Sequence, residues 1–293
     1  MCADSETNEV CASCGQAAVD NIQLKKCACN LVQYCGVNCQ KNHRPHHKKA
    51  CKKRMSEIRD DNLFRQPDES SYGECPICCL PLPIDVKKWT LHPCCSQLIC
   101  QGCYYADMIR GFEESLQQKC PFCREPPGEA EKKMMERVKA NDPVAIHYVA
   151  RKRRIEGDYE KAFEYFTKAA SFGNLDSHFE LSCMYQTGQA VEKDMKKTLM
   201  HLEKAAIGGH PAARSVFGCL EANNGRFDRS YRHFIIAAKL GCDKALDQVK
   251  KGFAAGFVKK EDYDGALRGH QAAVDATKSA QREEAYAVFN TRS

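Results

Sequence analysis

The sequence lacks any apolar run long enough to span a membrane, which takes about 18 residues, and its first residues lack the charged-then-apolar pattern of a secretory signal. We therefore expect a protein of the cytoplasm or nucleus with no membrane partner. It also lacks a strong charge excess. A net charge of +6 over 293 residues is modest and does not by itself indicate nucleic-acid binding.

What the sequence has in excess is cysteine, with 20 residues. In a reducing compartment disulfides are rare, so grouped cysteines are more often metal ligands than bridges. Four cysteine pairs follow one another between residues 75 and 123. They are Cys75 and Cys78, Cys94 and Cys95, Cys100 and Cys103, and Cys120 and Cys123. A two-residue gap lets a tight turn aim both sulfurs at one ion, and zinc takes four such ligands, so these thiols predict two closed, structural zinc sites.

The order and spacing of these pairs resemble the RING finger of ubiquitin ligases. The resemblance implies cross-bracing, in which the first and third pairs share one ion and the second and fourth pairs share the other. RING ligases also often have a proline and an arginine beside the last pair, here Pro121 and Arg124. The resemblance implies that Ile77, inside the first pair, and Arg124 contact a ubiquitin-conjugating enzyme, with Arg124 also touching the carried ubiquitin. The alternative is that Ile77 packs within its turn and Arg124 is solvated.

The second of these sites departs from the common RING pattern, because Gln97 stands where many members have a histidine ligand. Adjacent ligands such as Cys94 and Cys95 are strained on one tetrahedral ion. His92 is therefore an alternative to Cys94, and Cys79 is a spare thiol beside the first pair.

A second group of eight candidate ligands lies nearer the start of the chain. They are Cys11, Cys14, Cys27, Cys29, Cys35, Cys39, His47 and Cys51. Their spacing, with the Tyr-Cys and Cys-Gln dipeptides that contain Cys35 and Cys39, resembles the MYND finger. The resemblance implies one ion on Cys11, Cys14, Cys35 and Cys39 and a second on Cys27, Cys29, His47 and Cys51. Four zinc ions are thus expected in the whole chain.

Two features leave alternatives open in this first module. Arg44 stands where many MYND fingers have tryptophan, so binding of proline-containing peptides, which some members show, is expected to be weaker. His43 and His46 are close enough in sequence to compete with His47. The basic residues between Lys41 and Arg54 can form a nucleic-acid patch, but a solvated helix face is the commoner case and is favoured.

The second half of the chain repeats the motif Ala-Ala-x-x-Gly, which ends at Gly173, Gly209 and Gly241. Each motif closes a helix with apolar residues at helical spacing, and a partner helix precedes it across a turn glycine, at Gly157, Gly188 and Gly225. A weaker fourth unit uses residues 244–256 and 263–276. The pattern resembles the Sel-like branch of the tetratricopeptide superfamily, in which stacked helix pairs build a concave binding surface. The alanines are predicted core, and Tyr185, Arg214 and Arg232 are candidates for exposed contact residues.

The predicted fold is multidomain, with two small cross-braced zinc-finger modules followed by an all-α helical-repeat solenoid. The predicted segments are a disordered start at 1–10, a MYND-type finger at 11–51, a charged helical linker at 52–73, a RING-type finger at 74–128, repeats at 129–280, and a capping helix or tail at 281–293.

These resemblances together imply a zinc-dependent RING-type ubiquitin ligase. Its RING would recruit a conjugating enzyme, and its repeats or MYND finger would hold protein substrates. Such a ligase works by positioning and forms no covalent intermediate. The alternatives are a non-catalytic scaffold that joins proteins and, third, a nucleic-acid-binding zinc protein. No nucleophile and base remain for an independent hydrolase once the cysteines and His47 are ligands.

Overall fold

The computed structural model describes residues 10–18 and 23–290, and the chain divides into two compact units between Arg65 and Gln66. The predicted disordered segment 1–10 lies outside the described residues except for Val10. The last three residues of the predicted segment 281–293 lie outside them as well.

The first unit contains a short hairpin and one long helix. Strand β1 (Lys25–Lys26) pairs antiparallel with β2 (Gln33–Tyr34), and helix α1 (Val37–Leu63) follows. The helix includes the basic residues 41–54, for which a helix was favoured, and it begins at Val37 inside the predicted MYND-type finger and continues through the first part of the predicted linker. Its ligand candidates Cys39, His47 and Cys51 are spaced by multiples of four, which puts them on one side of a helix.

The second unit begins at Gln66, in the predicted linker, and continues into the predicted RING segment. Strand β3 (Trp89–His92) pairs antiparallel with β4 (Gln97–Cys100), and helix α2 (Gln101–Glu113) starts at the end of β4. A small core of Cys75, Leu82, Ile99, Cys100 and Cys103 lies between them. With so few apolar residues in the core, metal binding has to supply much of the folding free energy.

A series of helices completes the second unit. They are α3 (Ala130–Lys139), α4 (Pro143–Ile155), α5 (Tyr159–Ser171), α6 (Leu175–Thr187), α7 (Met195–Ile207), α8 (Pro211–Asn223), α9 (Phe227–Lys239), α10 (Asp243–Ala254), α11 (Lys260–Ala276) and α12 (Ala280–Asn290). Helices α4 and α5, α6 and α7, and α8 and α9 pack as pairs, and α10 and α11 both pack on α9. The predicted order of paired helices is confirmed.

Local sequence signals explain where these helices begin and end. The Asp142 carboxylate accepts hydrogen bonds from the N–H groups of Val144 and Ala145 and so caps α4, with Pro143 in the first turn. Gly173 follows α5 with a φ of 86°, a left-handed conformation that glycine adopts without strain. The alanines of the three repeat motifs are buried, as predicted.

Two predictions about the repeats are wrong. Arg214 is fully buried in α8 and is not an exposed contact residue. Helix α12 does not cap the repeat stack. It packs against α2 of the predicted RING segment, hereafter the zinc-binding segment. Ala285 is buried in this contact, and the Phe289 ring meets the Tyr105 ring edge-on, with centroids 5.9 Å apart.

Candidate metal centres

The candidate ligands converge in four groups, and within each group all ligand atoms lie within 4.8 Å of one another. The groups are Cys11, Cys14, Cys35 and Cys39; Cys27, Cys29, His47 and Cys51; Cys75, Cys78, Cys100 and Cys103; and Cys94, Cys95, Cys120 and Cys123. In both modules the two groups interleave along the chain. The structure thus brings together the same sets that the two resemblances imply.

The distances within the groups fit zinc. A tetrahedron with zinc–sulfur bonds of about 2.3 Å has sulfur–sulfur edges of about 3.8 Å. The closest Sγ–Sγ separations run from 3.4 to 3.8 Å, and the His47 Nε2 atom lies 3.1 Å from the Cys29 Sγ. A disulfide would need sulfurs about 2.05 Å apart. Three four-thiolate sets and one set with three thiolates and an imidazole are donor sets that structural zinc prefers, so the four groups fit four zinc ions.

Helix α1 decides which histidine joins the first module. His47 is buried and points its ring at Cys29. His43 stacks on His47, and its Nδ1 atom is 3.0 Å from the Tyr34 hydroxyl, so it supports the ligand instead of replacing it. His46 is exposed and belongs to none of the four groups.

The adjacent pair Cys94 and Cys95 is accommodated by a tight turn. The N–H of Cys95 donates to the His92 carbonyl at 3.2 Å, and Ser96 takes a positive φ of 56°. This turn lets both sulfurs face Cys120 and Cys123. His92 instead contacts the Tyr104 ring, with centroids 5.8 Å apart, and is outside the group.

Backbone N–H groups in the turns favour thiolates, which are the form that binds metal. A hydrogen bond from Cys100, together with the N–H groups of Cys78 and Ile77, lowers the pKa of Cys75 to about 4. Burial has the opposite effect on Cys103 of the same group and on Cys95 of the group formed with Cys94, Cys120 and Cys123, and raises both pKa values to about 12. In each of these two groups three of the four thiols are buried, so thiolates held this close together favour a divalent cation, which fits the zinc assignment.

The two residues predicted to meet a conjugating enzyme are both exposed. Ile77 is 42% exposed, and the Arg124 side chain is 55% exposed. Pro121 is buried. The Nη1 group of Arg124 donates to the Asp107 carboxylate at 2.9 Å, so α2 holds this guanidinium in place.

A groove of about 790 Å³ lies beside Arg124 and was not predicted. Phe112, which is 86% exposed, and Leu116, which is 54% exposed, line it at the end of α2. The sequence feature that could have predicted this groove is the presence of two large apolar residues in an otherwise polar stretch. Exposed apolar residues beside a fixed cation are typical of protein-binding surfaces.

Comparison with known families identifies two parts of the chain. The MYND finger model matches residues 11–51, and the Sel1 repeat model matches residues 138–174 and 175–210. The chain has an N-terminal zinc-finger region followed by a helical solenoid, of which residues 138–210 match the Sel1 repeat. These matches support zinc binding and protein interaction, and they do not include residues 75–123, whose assignment rests on the geometry above.

Several solved structures are similar to the chain, including the following two. A Sel1 repeat protein from Oxalobacter formigenes has 21% identity and a TM-score of 0.44, over 60% of this chain and 72% of that one. The protein c5321, a protective antigen present in uropathogenic Escherichia coli strains with an SLR fold, has 17% identity and a TM-score of 0.42, over 63% of this chain and 44% of that one. No curated protein matches the sequence. Among the described residues, no helix combines the length and apolar character that crossing a membrane requires.

Proposed function

We propose that this zinc-finger and Sel1-repeat protein is a RING-type ubiquitin ligase. The observation that carries the proposal is the interleaving of the two cysteine groups between Cys75 and Cys123, with Ile77 and Arg124 exposed and outside both groups. In this proposal Ile77 is an apolar anchor for a conjugating enzyme. The repeats or the MYND finger hold the protein substrate, proline-containing peptides are candidate ligands of the MYND finger, and the protein acts in the cytoplasm or nucleus.

Zinc would supply no chemistry in this reaction, because closed four-ligand sites are structural. Residues 75–123 would hold the conjugating enzyme so that the thioester-linked ubiquitin stays near its attack geometry. Arg124 would contact the carried ubiquitin from the position that Asp107 fixes. Rate enhancement would then come from orientation alone, without a covalent intermediate on this chain.

An auto-ubiquitination assay of the full chain against a panel of conjugating enzymes tests the proposal. Ile77→Ala should weaken recruitment about tenfold, because a truncated anchor residue typically costs more than about 1 kcal/mol. Arg124→Ala should leave recruitment within about twofold and slow transfer about tenfold, since in this proposal its main contact is with the carried ubiquitin. Both variants should retain all their zinc.

Matched controls come from the same segment. Val86 is an exposed aliphatic residue outside the cysteine turns, and Arg110 shares the Asp107 carboxylate with Arg124. Val86→Ala and Arg110→Ala should transfer ubiquitin at the parent rate. Parent activity that survives unchanged in both Ile77→Ala and Arg124→Ala would show that these residues do not have the proposed roles.

The second candidate function is a scaffold without ligase activity. The groove lined by Phe112 and Leu116 favours it, because such a surface can hold a protein segment with no transfer step. A parent protein that is inactive with every conjugating enzyme of the panel, yet fully loaded with zinc, would make the scaffold the better account.

A further inference from the structure

A buried arginine of the C-terminal helix α12 contacts the turn that contains Cys78, which lies near the start of the second unit in sequence. Arg282 in α12 is 8% exposed, and its Nη2 group donates to the Cys78 Sγ at 3.3 Å and to the Leu80 carbonyl at 3.0 Å. Its Nη1 group donates to the carbonyls of Pro81 at 2.7 Å and Thr277 at 2.9 Å. One guanidinium therefore joins a ligand sulfur, the turn behind it and the end of α11.

The packing around Arg282 is specific to this helix. Gly102 lies between the ligands Cys100 and Cys103, and a Cβ atom there would come within 2.9 Å of the Arg282 Cγ and 3.0 Å of its backbone. One turn further along α12, the Tyr286 ring lies under the Lys88 ammonium group, 4.5 Å from its centroid. The absence of a side chain at residue 102 thus gives α12 the space that it needs, and metal geometry does not require a glycine there.

Charge gives this contact a role. Four thiolates around one Zn²⁺ carry a net charge of about −2, and burying such a charge is costly unless cations or N–H donors offset it. Cys75 and Cys100 have no exposed surface, and Cys103 has little. A guanidinium on the Cys78 sulfur offsets part of that charge. At the neighbouring group the comparable arginine, Arg137, donates to the Cys94 carbonyl and not to a sulfur.

We propose that Arg282 is an outer-sphere residue of the zinc site formed by Cys75, Cys78, Cys100 and Cys103. In this arrangement zinc retention and the docking of α12 depend on each other. Zinc keeps the turn in the shape that accepts Arg282, and Arg282 stabilises the thiolates that hold the zinc. The proposal is independent of ligase activity, because it concerns only the metal and the helix.

Zinc transfer to a colorimetric chelator, measured on the full zinc-loaded chain, tests the first half. Residues outside the ligand set typically change metal affinity 10- to 100-fold. Arg282→Met should therefore release one of the four zinc ions about tenfold faster and leave the other three unchanged. Arg282→Lys, which keeps the charge, should restore part of the retention. Arg268→Met, an exposed arginine of α11, should behave as the parent.

Hydrogen exchange of the α12 amides tests the second half. Chelation of the parent should raise α12 exchange to the level seen in zinc-loaded Arg282→Met. Gly102→Ala provides a second route if Arg282→Met folds poorly, since it displaces α12 while keeping both the arginine and every ligand. It should raise α12 exchange and speed the release of the same single zinc.

Two results would overturn the proposal. One is normal zinc retention in Arg282→Met or Gly102→Ala while α12 exchanges rapidly, which would mean that Arg282 only fastens the helix to backbone carbonyls. The other is an α12 that stays protected after all zinc has been removed, which would mean that docking does not depend on the metal.

Discussion

His233 in α9 shows how a single buried side chain makes the repeats sensitive to acid. Its ring stacks on Phe217, with centroids 4.6 Å apart, and no part of it reaches solvent. Burial, with the cations Arg214, Arg229 and Arg232 nearby, lowers its pKa from 6.5 to about 3. As the pH falls below 6.5 the unfolded chain takes up this proton while the folded chain does not. The contribution of His233 to the unfolding free energy is therefore fully present above pH 6.5 and is lost progressively as the pH falls below that value.

Between pH 7.5 and pH 5.5 this residue should cost about 1.4 kcal/mol of unfolding free energy. His233→Phe, which keeps a ring in the stack, should lose about that much less over the same range. Urea unfolding followed by far-UV dichroism at both pH values measures the difference. Proton competition for the zinc thiolates affects both proteins equally and cancels. Equal losses in the parent and in His233→Phe would contradict the assignment.

Single residues were predictable from sequence where their chemistry is local. A Cys-x-x-Cys spacing places two sulfurs in one turn whatever surrounds it, so the ligand candidates could be named in advance. Arg214 could not be placed, because whether a long side chain on a helix is buried depends on the helices that pack over it. For the same reason, nothing in the sequence indicated that Arg282 would be buried against a zinc ligand.

At the scale of helices, two glycines in helix interiors should respond in opposite ways to alanine. Replacing such a glycine normally stabilises a helix by about 1 kcal/mol. Gly111 in α2 has open space around its Cα, so Gly111→Ala should follow that rule. At Gly218 in α8, a Cβ atom would lie 2.8 Å from the Phe234 ring of α9, so Gly218→Ala should destabilise the protein by about 1 to 3 kcal/mol.

Thermal unfolding of the two variants beside the parent checks this contrast. A higher midpoint for Gly218→Ala would mean that α8 and α9 separate easily at this contact, which would contradict the close packing of the pair.

The helices of the repeats were predictable because period, caps and turn glycines all lie within a few residues of one another. The partner of α12 was not. Ala285, Tyr286 and Phe289 define a face that needs cover, but periodicity does not say what covers it. From the sequence pattern alone, the helical repeats and the zinc-binding segment are equally suitable partners for this face. The space left by the missing side chain of Gly102 and the carbonyls of residues 80 and 81, which accept from Arg282, favour the zinc-binding segment.

At the scale of the whole molecule, removing zinc should affect the chain unevenly. A strong chelator should unfold residues up to Arg65 and the segment around Cys75 to Cys123, because metal binding supplies their folding free energy. It should also release α12, which docks on that segment, and leave the helices from α4 to α11 intact.

Limited proteolysis of the chelated chain, with far-UV dichroism, would measure this. We expect new cleavage before Pro127 and within α12, and retention of most of the helical signal. Excess zinc added before the protease should suppress the new cleavage and restore the part of the helical signal that chelation removed. Loss of the whole helical signal on chelation would show that the repeats depend on the zinc-binding segments for their stability.

The predicted boundaries treat the RING segment and the repeats as separate modules, whereas the second compact unit contains both. Part of the predicted linker belongs to it too. The N–H of Ser71 donates to the Gly209 carbonyl at 3.2 Å, and the Tyr72 ring contacts His210 between α7 and α8. An irregular segment has no periodicity, so nothing in its sequence predicted this packing.

The distance along the chain between Cys78 and Arg282, 204 residues, has a consequence for synthesis. At about 5 to 20 residues per second, a ribosome makes the thiolate about 10 to 40 s before the guanidinium. Once Cys103 has been made, the nascent chain carries the complete set of four sulfurs, without the cation that lies against Cys78 in the finished protein. Premature termination just before α12 would therefore yield a chain with every zinc ligand and every repeat. In that chain the site formed by Cys75, Cys78, Cys100 and Cys103 would permanently lack Arg282, as it does in the nascent chain.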